Sequence, residues 1–219
     1  MASVLWLDFD SVALAEPLTP RFIAEFGDPE PEDSVRSPEE VVIAAVDSSG
    51  LADEEMTDFV VRHATPADGL IELWDWVHWN GWHMAVGGVT FELLLDPVLN
   101  GASLDRVARH CGRTDMLYRR RLRFLSPRGV EIRSNFSAAY LGSYKSAGDF
   151  VVYVGGDPRR AKDAEAGHVV LAGPRLAAEL TAYSGELRIW DNLGDVRAHL
   201  EKEAHLWQAS FSSTTAAGG

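Results

Sequence analysis

The sequence predicts an α/β protein built on a doubly wound parallel sheet. Three runs that are apolar except for His83, at residues 4–7, 82–86 and 150–154, are separated by segments with helical periodicity. Strands that are apolar at every position are typical of a parallel sheet with helices on both faces. Parallel neighbours also need a long crossover between them, which the intervening helical segments supply. These observations together favour an open α/β core.

The composition limits the class of protein. At 219 residues, of which 46% are hydrophobic, the chain can bury one sizeable core. Its formal net charge of −13 argues against nucleic acid as a partner, because a phosphate backbone requires a basic face. No apolar run has the length of a membrane span, and the N-terminal residues do not resemble a signal peptide. The single cysteine, Cys111, excludes an internal disulfide, so we expect a cytoplasmic protein.

The segment after the first apolar run is predicted to be helical throughout. One helix start is especially clear, because Ser37 suits an N-cap and Pro38 suits the first helical position. No strand pattern interrupts the segment. We therefore predict that residues 14–64 form a small helical insert, or helices that cover one sheet face, on a core made of residues 1–13 and 65–209.

The second half of the chain carries three further predictions. The apolar spacing of residues 104–111 predicts a helix. Alternation on both sides of the turn at residues 126–129 predicts a β-hairpin insertion. The Ser/Thr/Ala/Gly-rich residues 210–219 are predicted to be a disordered tail. Arginines in and around the hairpin give it a basic face: Arg119, Arg120, Arg121, Arg123, Arg128 and Arg133.

Two predicted surfaces could mediate a homodimer. The basic hairpin is one of them, and the tryptophans within residues 74–82 are the other. Aromatic residues and arginine are enriched at protein interfaces, so either surface could receive a second copy of the chain.

A pair of acids at the end of the first apolar run is the main candidate site. Asp8 and Asp10 are two residues apart, so an extended chain places both on the same side. They lie at the carboxyl end of the strand, where open α/β sheets keep their ligand crevice. Carboxylates this close repel each other unless a cation lies between them, and a hard divalent ion such as magnesium suits them. Asp157 follows the third run directly after two glycines and is placed to complete the cation site.

The strand followed by Asp8 and Asp10 resembles the first signature of the haloacid dehalogenase superfamily. The family usually has glycine where this chain has Ser11. The helix, strand and Gly87-Gly88 sequence resembles the second signature in the phosphoserine phosphatase-like branch, close to methylthiopentenyl phosphate phosphatases, with Val86 in place of the phosphate-binding serine.

Two more family signatures have partial counterparts. Lys145 is the candidate for the lysine of the third signature. Gly156-Asp157 resembles the start of the fourth, normally Gly-Asp-x-x-x-Asp, whose second acid falls on Ala161. The resemblance extends over nearly the whole chain and implies that the helical insert, residues 14–64, is a cap over the active site.

The resemblance implies roles for each of these residues. Asp8 would be the nucleophile that accepts phosphate and Asp10 the general acid and base. Asp8, Asp157 and the backbone carbonyl of Asp10 would hold Mg²⁺, and Lys145 would balance charge. Phosphate binding would fall to the remaining signature residues, which are Ser11, Gly87 and Gly88.

These roles support two readings of the function. The first is a magnesium-dependent phosphomonoesterase that acts on a small-molecule phosphate ester through an aspartyl-phosphate intermediate. The second is a catalytically degenerate protein of the same fold with a binding or accessory role, for example in specialised metabolism. Retention of Asp8, Asp10 and Asp157 favours the first, and the departures at Val86 and Ala161 favour the second.

Overall fold

The computed structural model describes residues 2–27, 36–115 and 121–217. Seven strands form one sheet: β1 (Ser3–Asp8), β2 (His83–Phe91), β3 (Ala108–Asp115), β4 (Arg121–Arg123), β5 (Phe150–Gly155), β6 (Val169–Ala172) and β7 (Glu186–Ile189). Their order in the sheet is β4-β3-β2-β1-β5-β6-β7. Every neighbouring pair is parallel except β3 and β4, which are antiparallel. The predicted α/β fold class is confirmed.

Helices connect the strands and cover the sheet. They are α1 (Leu18–Phe26), α2 (Pro38–Ser49), α3 (Asp53–His63), α4 (Leu70–Trp79), α5 (Glu92–Gly101), α6 (Phe136–Ser146), α7 (Ala161–Ala164), α8 (Pro174–Glu179) and α9 (Leu193–Ala217). A π-helical turn, Phe9–Ala13, follows β1, and a 3₁₀ turn, Pro158–Arg160, follows β5. Because β1 lies between β2 and β5, the turn after β1 starts near the middle of the sheet, at the carboxyl ends of the parallel strands.

Helices α1 to α3 share one hydrophobic core with the sheet. Phe22 of α1, Val46 of α2 and Phe59 of α3 belong to the same buried cluster as Phe91 of β2. The predicted N-cap of α2 is confirmed, since the Ser37 hydroxyl accepts a hydrogen bond from a backbone N–H of the first turn at 3.2 Å. The division into a cap, residues 14–64, and a core stays a prediction.

The predicted helix over residues 104–111 is wrong. Residues from Ala108 onward form β3, which pairs in parallel with β2. Leu104, Val107 and Cys111 are buried and have the spacing of a helical face, but the first two lie in the connection before the strand. Hydrogen bonding to β2 therefore decides the conformation here, against the local periodicity.

The hairpin is present, and its basic face is largely paired with acids. Leu125 and Glu131 form an antiparallel bridge around the predicted turn. Arg123 contacts Asp115 at 2.8 Å, and Arg121 lies 3.9 Å from Glu131. Arg119 and Arg120 lie outside the described residues. Exposed pairs of this kind contribute little stability, but they reduce the positive field of the hairpin.

The C-terminal helix extends into the predicted tail. Helix α9 runs to Ala217, so residues 210–217, where the sequence predicted disorder, are helical. Adding residues to an existing helix avoids the cost of nucleation, so weak helix formers can continue it. Ser213 also donates its hydroxyl to the carbonyl of Ala209 at 3.0 Å. Phe211 packs against Phe150, with ring centroids 5.5 Å apart.

Among the described residues, no helix is both long enough and apolar enough to cross a membrane.

One prediction concerns His168, whose Nδ1 accepts the backbone N–H of Val151 at 3.0 Å. Burial and the nearby positive charge of Lys145 lower the pKa of His168 to about 4. Since the folded state binds the proton less well than the unfolded state, His168 makes the fold lose stability as pH falls from 6.5 to 4. We expect His168→Asn to reduce this pH-dependent loss of stability by about 1 kcal/mol. The value allows for the partial exposure of the ring, where solvent screens its charge. Urea unfolding of both proteins across this pH range measures it, and parallel pH profiles would contradict it.

Candidate active site

Asp8 lies at the carboxyl end of the central strand β1 and is only 4% exposed. Its Oδ1 accepts hydrogen bonds from the backbone N–H of Ser11 at 3.0 Å and from the Ser11 hydroxyl at 2.7 Å. Burial raises the pKa of Asp8, and the charge of Arg160 and the Ser11 hydrogen bonds oppose that rise. Ser11, predicted to bind phosphate, therefore acts directly on Asp8 through Oδ1.

Asp10 lies in the π-helical turn and caps helix α1. Its Oδ1 accepts the backbone N–H groups of Leu18 at 2.9 Å and Thr19 at 2.8 Å. Burial raises the pKa of Asp10 to about 6, with a further contribution from the charge of Asp8. Two carboxyl groups in different environments can hold different protonation states at neutral pH, which is how paired acids divide nucleophilic and acid–base roles.

Both acids line a cavity of about 660 Å³ between the sheet edge and helices α1 and α2. Asp157 lines the same cavity, so the structure brings the three predicted acids to one place. Four arginines also line it: Arg36, Arg159, Arg160 and Arg175. Within the described part of the chain, no ion pair to an acid is found for Arg36 or Arg175. Apolar side chains also line it: Ile23, Val41, Val42 and Val89.

The two glycines of the second signature have different environments. Strand β2 does not end at them, as the sequence predicted, but continues to Phe91. A Cβ on Gly88 would lie 3.3 Å from Oδ2 of Asp8, so this glycine borders the free side of the carboxylate. A Cβ on Gly87 would instead lie 2.7 Å from the indole of Trp6. Gly88 therefore adjoins the site, whereas Gly87 allows close packing behind it.

Asp157 is held by its neighbour Arg159. The Arg159 guanidinium donates to both carboxylate oxygens of Asp157, at 2.8 to 3.1 Å. Burial favours a higher pKa for Asp157, but the hydrogen bonds and charge of Arg159 outweigh it and lower the pKa. Among the described residues, no group of three or more His, Cys, Asp or Glu side chains is placed to hold a metal ion. The three predicted side chains are therefore not arranged as a metal cluster, and Asp157, with both oxygens bound to Arg159, does not suit a cation in this position.

The residue in contact with Ser11 is Gly156 rather than Asp157. The N–H of Gly156 donates to the Ser11 hydroxyl at 2.9 Å, and a Cβ built on Gly156 would lie 3.5 Å from the Ser11 Cβ. The fourth signature can also be set one residue earlier on the sequence than its resemblance to Gly156-Asp157 suggests. Its two acidic positions then fall on Gly156 and Arg160.

Lys145 lies away from the candidate site. It is in the last turn of α6, which leads through a short connection into the amino end of β5. Its charge acts on His168, at the start of β6, and it does not line the cavity. Since Asp8 is at the carboxyl end of the parallel strand β1, the two residues lie at opposite ends of the parallel strands. Lys145 therefore cannot balance the charge of Asp8.

The arginines that line the cavity were not predicted from the sequence. The predicted site residues were acids and a lysine at family positions, whereas Arg159 and Arg160 follow shortly after Asp157. Two adjacent basic residues after the Gly-Gly end of a buried strand were the available signal.

Comparison with solved structures shows a fold similar to that of phosphoserine phosphatases and of a putative haloacid dehalogenase-like hydrolase from Bacteroides fragilis. A substrate-bound phosphoserine phosphatase complex superposes with a TM-score of 0.65 at 17% identity, covering 92% of this chain and 98% of that one. A phospho-aspartyl intermediate analogue of phosphoserine phosphatase has a TM-score of 0.63 at 16% identity, with the same coverage of 92% and 98%.

A predicted phosphatase from Clostridium acetobutylicum is also similar, with a TM-score of 0.60 at 12% identity over 92% of this chain and 99% of that one. No protein-family model matches the chain. No curated protein matches it in sequence either. At these identities the likeness defines the fold, which confirms the predicted resemblance at that level.

Proposed function

We propose that this protein is a phosphatase-like hydrolase that acts on a small phosphate ester in the Asp8–Asp10 cavity. The observation that carries the proposal is the pairing of two carboxyl groups in one cavity: Asp8, buried at the strand end, and Asp10, partly buried, with its pKa raised to about 6 by desolvation. Solved structures with this fold include a phospho-aspartyl intermediate analogue, which supports the same use of Asp8 here.

The proposed reaction has two steps. In the first, an oxygen of Asp8 attacks phosphorus, the ester P–O bond breaks, and the departing oxygen takes the proton from Asp10. In the second, Asp10 takes a proton from water as the water oxygen attacks phosphorus. The bond from phosphorus to Asp8 then breaks, releasing inorganic phosphate and restoring both side chains. The lining arginines are suited to stabilise the charge on the phosphate oxygens.

The lining also limits the class of substrate. The arginines suit the phosphate, and the apolar lining formed by Ile23, Val41 and Val89 suits a compact organic group with little charge. A small phosphorylated metabolite fits a cavity of about 660 Å³. Magnesium, expected from the resemblance, has no step in this proposal because the donor set does not fit it.

The test is hydrolysis of p-nitrophenyl phosphate and a panel of small phosphate esters, in EDTA and in magnesium. We expect turnover that Asp8→Asn lowers by about 10³-fold or more, because the substitution removes the nucleophile. Asp58→Asn is the control, since Asp58 is exposed on α3, away from the cavity lining. Equal rates for wild type and Asp8→Asn would contradict the proposal.

A binding role without hydrolysis is the second candidate. Two observations favour it: Val86 stands where the family has a phosphate-binding serine, and Arg159 occupies the carboxylate of Asp157. Binding of phosphate esters by calorimetry, with no turnover under either condition, would select this role over hydrolysis.

A further inference from the structure

We propose that the guanidinium of Arg160 takes the place of the divalent cation beside Asp8, so that this pocket binds phosphate without a metal ion. The inference rests on the proposed function, because it assumes that the cavity takes a phosphate group. It concerns what neutralises the charge of the carboxylate and of the ligand.

The first argument is the position of Arg160. It lines the cavity together with Asp8, and its side chain is only 12% exposed. A buried guanidinium needs acceptors, and the described acid nearest to it is Asp163, at 3.9 Å. That separation is too long for a hydrogen bond, so the ion pair with Asp163 does not occupy the hydrogen-bond donors of the guanidinium.

The second argument is the electrostatic effect of Arg160 on its surroundings. Its charge opposes the burial-driven rise in the pKa of Asp8, and does so more than any other single interaction. It acts in the same direction on Asp163, whose pKa burial raises to about 6. The positive charge of Arg160 therefore stabilises the ionised form of two buried carboxyl groups, as a divalent ion does in a carboxylate site.

The third argument is that positions 156 and 157 offer no unoccupied carboxylate as a ligand for a metal ion. Gly156 lies against Ser11, which is hydrogen-bonded to Asp8, but carries no side chain, and Asp157 is bound to Arg159. Arginine binds phosphate through planar, paired hydrogen bonds and stays charged at any physiological pH. The residues at positions 156 and 160 thus suit an anion directly and do not suit a cation.

The first test is calorimetric titration of wild-type protein with inorganic phosphate, in EDTA and in excess magnesium. We expect the same dissociation constant in both, within about twofold. Binding or hydrolysis that occurs only with magnesium would overturn this inference and leave the proposed function intact. No phosphate binding and no turnover under either condition would overturn both.

Variants of Arg160 test the same point. Arg160→Gln is expected to weaken phosphate binding by about 10- to 100-fold, and Arg160→Lys to weaken it less, since charge-assisted hydrogen bonds are lost in the first and partly kept in the second. Arg197→Gln, which removes an exposed arginine paired with Glu201 on α9, is the matched control and should bind as wild type does. Unchanged binding by a folded Arg160→Gln protein would overturn the inference.

A gain-of-function variant completes the experiment. Gly156→Asp combined with Arg160→Asp places acids at both positions, and a Cβ at Gly156 meets only ordinary contacts, the nearest at 3.5 Å. We expect this variant to bind magnesium in a titration with the metal alone, whereas wild type does not. Magnesium binding by the wild type at the same site, lost in Asp8→Asn, would contradict the proposal.

Discussion

Replacing Phe22 with alanine is expected to lower the free energy of unfolding by about 3–5 kcal/mol, because the substitution removes a large buried ring and leaves a cavity. Phe22 lies on α1 and is fully buried. Its ring contacts Phe59 of α3 and Phe91 of β2, with centroids 5.7 and 5.2 Å away. The substitution therefore weakens the contact between the helices of residues 14–64 and the sheet.

Urea unfolding, followed by far-ultraviolet circular dichroism and tryptophan fluorescence, measures the change. We expect one cooperative transition with both probes, because the two parts share one core. Phe26→Ala is the matched control, since Phe26 is one turn further along α1 and only partly buried, so its loss should be smaller. A separate early transition, with the main one unchanged, would show that residues 14–64 unfold independently.

Gly87→Ala is expected to destabilise the fold by about 1–3 kcal/mol through overpacking. A Cβ at this position would lie 2.5 Å from the carbonyl oxygen of His110 and 2.7 Å from the indole of Trp6. The first contact is with the backbone of the neighbouring strand β3, which cannot move away without disturbing the ladder with β2. Thermal unfolding of the variant and the wild type measures the loss.

Gly142→Ala is the control for this substitution and should change stability in the opposite direction. Gly142 lies within α6, and nothing is within 4 Å of a Cβ built there. Alanine has a higher helix propensity than glycine by about 1 kcal/mol, so a gain of that order is expected. If Gly87→Ala were as stable as Gly142→Ala, the close packing of Trp6 against β2 would be contradicted.

The sequence was sufficient to predict the layers of the fold, because the signals were local. The apolar run that forms β1 and the N-cap at Ser37 depend only on neighbouring residues, and both are found in the structure. Strand β3 was missed because its stability comes from pairing with β2, while Leu104, Val107 and Cys111 mimic a helical face. Local periodicity cannot report a long-range ladder.

The site was predictable in part for a related reason. The placement of Asp8 and Asp10 follows from the strand that precedes them. The direction of Asp157 does not, because two glycines before it carry no side chain that would indicate which residue faces the cavity. Lys145 was assigned by order along the chain, whereas the parallel topology puts it at the opposite end of the parallel strands. The proposed replacement of a metal ion by the guanidinium of Arg160 could be inferred only from the three-dimensional structure.

The hydrogen bonds between Asp10 and the first turn of α1 link ligand chemistry to backbone position. A carboxylate holds the N–H groups of Leu18 and Thr19 more strongly than a neutral carboxylic acid does. Each proton that Asp10 gains or gives up is therefore expected to change how firmly the first turn of α1 is held. Because Ile23 of the same helix lines the cavity, the shape of this part of the cavity is expected to depend on the ionisation of Asp10.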